Sequence, residues 1–305
     1  MGLSLSEQEL VRYSRNIVLP EIGLEGQERL KSSGVLLVGA GGIGSPSALY
    51  LAAAGVGHLG LVDFDAVEVS NLQRQILFQT RHVDGIKVEC AREAIHALNP
   101  HCKVATHLTR LKSAVTCREI VRGYDVVIDG SDNFCTRFLV ADCCWIEGVT
   151  LVSASALGFQ GQLMVVVPGG ENPCYRCLIP EPSYEQRAVT CREAGIFGGV
   201  VGVMGSLAAV EAVKFLLGLD PAGASRFLAY DGLRCRFVTG ERLRDPDCIL
   251  CGEPSGISDA DESDVISREK GRAHARAADS TPRRSRSACS TQSFYSGKEE
   301  IEPHE

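Results

Sequence analysis

The sequence carries no excess of positive charge: 31 Lys and Arg stand against 38 Asp and Glu, a formal net charge of −7. That balance gives no support for a nucleic-acid partner or an anionic membrane surface, and neither is expected. The opening segment, residues 1–12, holds Glu7 and Glu9 and lacks an apolar run, so no signal peptide is expected and a cytoplasmic location is. No membrane-spanning stretch stands out. The most apolar one, residues 198–218, contains Glu211 and Lys214 and reads as a buried helix. A disulfide framework is the poorer reading of the cysteines. There are 13, an odd number, in a chain of 305 residues, and reduced thiols with some of them metal-bound fit better. Residues 254–305 have few large apolar side chains and are dominated by Ser, Arg, Asp and Glu. Such a segment cannot bury enough surface to offset its ordering entropy and reads as a disordered polar tail behind a core of residues 1–253.

What is present organises itself around Val35–Arg74. The chain is 45% hydrophobic, enough for a globular core. Val35–Val38 is a short apolar run that reads as a buried strand, Pro46–Ala54 as a helix, and Leu59–Val62 as a second strand ending at Asp63. Between the first strand and the helix, Gly39, Gly41 and Gly44 make G-x-G-x-x-G, with Gly42 as an extra glycine. Strand, glycine turn, helix, strand and acid form a mononucleotide-binding unit. The glycines let backbone approach a phosphate, the helix N-terminus offers N–H groups, and the acid meets a ribose hydroxyl. The glycines alone do not name the nucleotide, and an NAD-dependent oxidoreductase stays open on them. Asp65, Ser70, Asn71, Leu72, Gln73 and Arg74 follow closely. A second acid, an amide and an arginine suit a triphosphate and its cation better than an NAD site.

G-A-G-G-I-G at Gly39–Gly44 and D-F-D-A-V-E-V-S-N-L-Q-R-Q from Asp63 to Gln75 resemble the ThiF/MoeB/HesA branch of the ubiquitin-activating-enzyme superfamily, over about Ser4 to Gly252. The resemblance implies ATP-dependent adenylation of the C-terminal glycine of a small ubiquitin-like (β-grasp) sulfur-carrier protein ending in Gly-Gly. That reaction would prepare the carrier for sulfur transfer in molybdopterin- or thiamine-type biosynthesis. It implies Mg²⁺ beside the ATP and a homodimer, in which Arg15 of the R-Y-x-R segment enters the partner's ATP site. It also implies that Lys87 contacts phosphate and that Asp132, with Asn133 beside it, serves magnesium and ATP. A non-catalytic carrier-binding scaffold is a further alternative. Inactive relatives typically lose the arginine or the aspartate, and here Arg15, Arg74, Lys87 and Asp132 are all present.

The rest of the chain supports a doubly wound, Rossmann-like α/β fold. A capping box at Ser6 and Glu9 starts a helix expected over Ser6–Arg15. A helix is expected over Asp84–Leu98, and strands over Lys103–Leu108 and Tyr124–Asp129. Asp132 then falls just past a strand's C-terminal end, where ligands bind in open parallel sheets; Asp129 reads as a turn acid. Thr136–Glu147 and Val149–Ser153 continue the alternation of helix and strand. Gln162–Val167, Arg226–Tyr230 and Cys235–Thr239 lack intervening βα units and are expected to extend the mainly parallel sheet with antiparallel strands.

Cys174-Tyr-Arg-Cys177 and Cys248-Ile-Leu-Cys251 are two C-x-x-C pairs separated by 70 residues. Each pair brings two thiolates to one ion, and together they close a tetrahedral zinc site with no open position, hence a structural one. The resemblance implies the same site. Cys191 stands apart beside Arg192, which favours a thiolate. The resemblance implies that a cysteine in this segment accepts the activated carrier, and a catalytic role is expected for it.

Overall fold

The computed structural model describes residues 5–179, 195–219, 226–241 and 243–253. They fall within one compact unit, Met1–Glu262. Cys191 and the tail expected over residues 254–305 lie outside the described residues.

Eight strands form one sheet in the order β3-β2-β1-β4-β5-β6-β7-β8. Strands β1 (Gly34–Val38), β2 (His58–Asp63), β3 (Lys103–Leu108), β4 (Val126–Asp129) and β5 (Thr150–Leu157) are parallel. Strands β6 (Gln160–Val166), β7 (Arg226–Asp231) and β8 (Arg236–Glu241) extend the sheet antiparallel, as the loss of βα alternation implied. Every residue of β1 is buried because helices cover both faces. Its side chains alternate accordingly. Val35 and Leu37 join a core with helices α3 (Gly23–Ser32), α4 (Gly44–Ala54), α5 (Lys87–Leu98) and α9 (Gly198–Leu217). Leu36 and Val38 join one with α6 (Ala114–Val121), α7 (Phe134–Glu147) and the single turn α8 (Tyr175–Leu178).

Helix α9 is long and apolar enough to cross a membrane by length and composition, with a mean hydropathy of 1.9. It lies instead against α4 and the sheet, burying Val200, Val201, Met204, Ala208 and Ala212. Its two charges, Glu211 and Lys214, pair with each other at 3.0 Å.

Two expected helices begin or end differently. The first helix stops after one and a half turns (α1, Glu7–Arg12), and a new one, α2 (Ser14–Ile17), follows. The break falls at Tyr13, which leaves helical geometry (φ −97°, ψ 10°) and is buried with its hydroxyl accepting from Asn99 Nδ2 at 2.8 Å. Burying one aromatic ring outweighs continuing a helix whose cap is worth about 1 kcal/mol. The helix expected from Asp84 begins at Lys87. Asp84 has left-handed φ (67°) and its N–H donates to the Val67 carbonyl, while the Lys87 N–H donates to the Asp65 carbonyl. The segment is tied to the loop leaving β2, which places Lys87 at the cleft. Helices α3 and α6 were not expected from sequence, although α6 buries Ala114, Cys117 and Val121 at helical spacing behind a Ser113 cap. Only Gln27 and Leu30 of α3 are buried.

Candidate functional site

The strand order reverses between β2-β1 and β1-β4, and the crevice outside the C-terminal ends of these strands is where open α/β sheets bind ligands. A cleft of about 970 Å³ opens there. Gly39, Gly41 and Gly42 line it, with Asp63 and Asp65 from the end of β2. Ser70, Asn71, Gln73 and Arg74 from the following loop, Lys87 from α5, and Asp132 and Asn133 after β4 complete that side. Residues scattered over nearly a hundred positions are thus gathered by one sheet edge.

Glycine is required at Gly39 by its φ of +90°. Gly44 serves packing: a Cβ there would stand 2.0 Å from the Gly39 carbonyl oxygen, and Gly44 does not line the cleft. Leu72 is likewise absent from the lining and packs, half-buried, against the core. Arg15 sits exposed on α2 and is not part of this chain's cleft.

The polar groups hold one another in place. One Asp63 carboxylate oxygen accepts the Ala40 N–H at 2.9 Å, and the other accepts the Asp65 N–H at 2.9 Å. The acid therefore braces the glycine loop as well as facing the cleft. Asn71, nine-tenths buried, accepts the Glu68 N–H at 3.2 Å, and Arg74 donates to the Ser70 carbonyl at 3.0 Å. Lys87 is 5% exposed and pairs with Asp65 at 3.0 Å. That carboxylate offsets the unfavourable placement of a cation at a helix N-terminus. Asp132 is exposed to the cleft, while Asn133 caps α7 by accepting the Thr136 N–H at 2.9 Å. Asp129 is the turn acid expected: it accepts the Ser131 N–H at 3.0 Å.

Several lining residues escaped the sequence reading. Arg110 lies 4.5 Å over the Phe64 ring at one wall. Arg137 is buried in the floor, donating to the Ser131 and Ala154 carbonyls. Gln75 Oε1 and Ser131 Oγ line the cleft, are buried and make no hydrogen bond among the described residues. Gln75 closes the Asp63–Gln75 stretch of the sequence but was given no role there; Arg110 and Arg137 carried no local signal.

A second centre lies at the corner where α8 meets the chain after β8. The thiols of Cys174, Cys177, Cys248 and Cys251 fall within 4.8 Å of one another. Sulfur separations are 3.8 Å between Cys174 and Cys177, 3.5 Å between Cys174 and Cys248, and 3.3 Å between Cys177 and Cys251. Four thiolates about 2.3 Å from a tetrahedral ion stand roughly 3.8 Å apart, so the set fits one metal with no fifth position. Burial opposes ionisation at Cys174 and lifts Cys177 to about 11. Burial opposes it at Cys248 too, yet N–H groups of Cys251 and Leu250 and the neighbouring thiols bring that group below the ordinary thiol range. A bound cation would supply what Cys174 and Cys177 lack.

A family model described as the ThiF family matches residues 13–250. The "Adenylyltransferase and sulfurtransferase MOCS3" of Bos taurus is 48% identical over 257 residues, 84% of this chain and 56% of the bovine protein. The "Adenylyltransferase and sulfurtransferase MOCS3-2" of Zea mays is 45% identical over 259 residues, 85% of this chain and 53% of the maize protein. The chain thus spans little more than half the length of these relatives. Among solved structures, E. coli MccB with ATP superposes with a TM-score of 0.72 at 23% identity, over 83% of this chain and 77% of that one, a likeness of fold. The match over residues 13–250 takes in both the glycine-loop cleft and three of the four paired cysteines, and the chain belongs to the ThiF family.

Proposed function

We propose that the protein is an ATP-dependent adenylyltransferase acting on the C-terminal glycine of a ubiquitin-like, β-grasp sulfur carrier that ends in Gly-Gly. The observation that carries it is the cleft itself: a glycine loop, the ribose acid Asp63, and Arg74, Lys87 and Asp132 converge at one sheet edge. The likeness to relatives named adenylyltransferase and sulfurtransferase supports the reaction type; the resemblance to the ThiF/MoeB/HesA branch suggests the carrier and a molybdopterin-type setting.

A carrier carboxylate oxygen attacks the α-phosphorus of ATP, the bond to pyrophosphate breaks, and an acyl-adenylate forms. Negative charge spreads over the phosphoryl oxygens, so cations fixed beforehand lower the barrier. Arg74 and Lys87 are such cations, and Asp65 holds Lys87 in place at 3.0 Å. Asp132 offers the carboxylate that would hold Mg²⁺, which when bound screens the phosphates. Gln75 and Ser131 offer the unpaired polar atoms a bound substrate would satisfy. We assign the four-cysteine corner to zinc and to a structural role, on the all-sulfur donor set. Cys191 is proposed to take the acyl group from the adenylate as a thioester, releasing AMP; Gly195, four residues on, lines the cleft. A reducing, cytoplasmic setting suits these thiols.

The working form is proposed to be a homodimer, with Arg15 donated to the partner's cleft. Its support is the exposure of Arg15 on α2, with Val11 and Val18 exposed beside it at 77% and 75%. Equal mixing of Arg15→Ala and Asp132→Ala chains should restore roughly a quarter of parental activity, since half the dimers then hold one intact site. No recovery after subunit exchange removes the shared site.

The test of the reaction is carrier-dependent ATP–pyrophosphate exchange by the purified protein with Gly-Gly-ending carriers. Exchange that needs the carrier's terminal carboxylate supports the reading. Absence with every candidate carrier sinks it. Cys191→Ala should leave exchange intact and stop sulfur transfer; survival of both steps makes Cys191 structural. Protection against heat by NADH but not ATP would favour the oxidoreductase alternative.

A further inference from the structure

Three parallel strands end side by side at the cleft, and their exits carry different chemistry. Strand β1 ends at Val38 and gives the glycine loop, β2 ends at Asp63, and β3 ends at Leu108 and gives Thr109, Arg110 and Leu111. The exits are level with one another: Val38 pairs with Val62, and Asp63 with Leu108. Each step sideways is about 4.8 Å, so the exits of β1 and β3 stand roughly 10 Å apart with Asp63 between them. A nucleotide with its phosphates on the glycine loop and its ribose at Asp63 therefore lays its base over the exits of β2 and β3.

Phe64 and Arg110 stand there. Phe64 follows Asp63 directly, lines the cleft and is 48% exposed. The Arg110 guanidinium carbon lies 4.5 Å above its ring, within the range of a cation–π contact. The other cations that line the cleft are each tied to a protein oxygen: Arg74 to Ser70, Lys87 to Asp65, and Arg137 to Ser131. Arg110 is exposed and makes no hydrogen bond or ion pair among the described residues. Its one partner is the Phe64 ring. A guanidinium is flat and weakly hydrated, so with one face on a ring its other face can take a second π system. Base stacking on aromatic and arginine surfaces works through the ring face, which every base has. A role as one more phosphate cation fits the position less well. Arg110 leaves the sheet two strands from the glycine loop, on the far side of Asp63.

We propose that Arg110 is a binding residue for the nucleobase: its guanidinium, backed by Phe64, is the flat surface against which the base of the nucleotide stacks. Phe64 is then the positioning residue that holds the guanidinium in place. This rests on the cleft being the ATP site of the adenylation proposed above. It adds a contact from the exit of β3, outside the glycine loop and the Asp63–Gln75 stretch.

The test measures the dissociation constant of ATP with Mg²⁺, without carrier, on the full-length protein and three variants of this exposed side chain. Arg110→Ala removes both charge and surface, and binding should weaken roughly three- to tenfold, the scale of one stacking or cation–π contact. Arg110→Lys keeps the charge without the flat face and should weaken binding by a similar factor. Arg110→Tyr keeps a flat face without the charge and should stay within about twofold of the parent. Unchanged affinity in Arg110→Ala overturns the proposal. So does parental affinity in Arg110→Lys, or a loss in Arg110→Tyr as large as that in Arg110→Ala, since the charge then acts on phosphate. Adenylation fails separately, through a parent that binds ATP but shows no carrier-dependent exchange; a parent that binds no ATP removes both.

Discussion

The glycine-loop cleft and the four-cysteine corner are built on opposite principles. The cleft collects its groups from five separate loops along one sheet edge, and Asp132, Asp65 and Gln73 remain exposed there. The corner takes four ligands from two short turns, and three of the four cysteines are buried. A site that must admit and release substrate keeps its charges hydrated and borrows rigidity from the sheet. A site that holds one ion permanently can be buried, because four thiolates are compensated by the cation they share. Substitutions in the cleft are therefore expected to change rate, and those in the corner to change stability.

Cys251→Ser carries the largest expected effect. It breaks a closed donor set, so metal content should fall to near zero and the thermal midpoint by about 10 °C or more, on the several kcal/mol that structural metals contribute. Retained metal and an unmoved midpoint would take the corner out of the comparison. Asp132→Ala comes next, and runs the other way. Exchange should drop about a thousandfold with a midpoint within about 2 °C of the parent, because the side chain is exposed. A large fall in midpoint would show that cleft and corner are not separable in this manner. Lys87→Met should lower exchange about a hundredfold and leave the fold intact, since Asp65, with a side chain 49% exposed, stays hydrated without its partner.

The smallest effect comes from outside both regions. Burial would raise the Glu9 carboxyl, but the Lys31 ammonium at 2.8 Å and the Ser6 N–H and hydroxyl outweigh it and hold the group at about 2 against an ordinary 4.5. A depressed carboxyl stabilises the fold fully above its unfolded value and loses that contribution as pH falls toward its folded one. Between pH 4.5 and 2, stability should thus decline by about 1–3 kcal/mol through this group, and Glu9→Gln should flatten that part of the curve. Denaturant midpoints measured across the range check it; an unchanged slope in the variant assigns the acid loss elsewhere.

Some of this architecture could be read without coordinates. The apolar runs at β1, β2, β4 and β5 are continuous because those strands are covered on both faces, and burial of that kind is written directly into composition. The glycine loop and the paired cysteines were equally legible, since φ at Gly39 and two-thiol turns are local requirements. Loss of βα alternation after Gly158 announced the antiparallel strands. Boundaries set by distant partners could not be read in the same way. Tyr13 interrupts a well-capped helix because Asn99, 86 residues away, donates to its hydroxyl. Asp84 leaves helical geometry because Val67 takes its N–H.

The same division runs through the site. Sequence by itself determined the loop, the acid after β2, the S-N-L-Q-R segment and the cysteine pairs, because each is a short motif whose chemistry depends on near neighbours. Only the tertiary structure decided that Gly44 and Leu72 serve packing, that Arg15 is not part of its own chain's cleft, and that Arg110 and Arg137 belong to the site's walls. Those roles arise from contacts between residues far apart in the chain. No local spacing encodes such contacts, because the order in which strands enter the sheet, rather than their order in the sequence, sets which side chains meet.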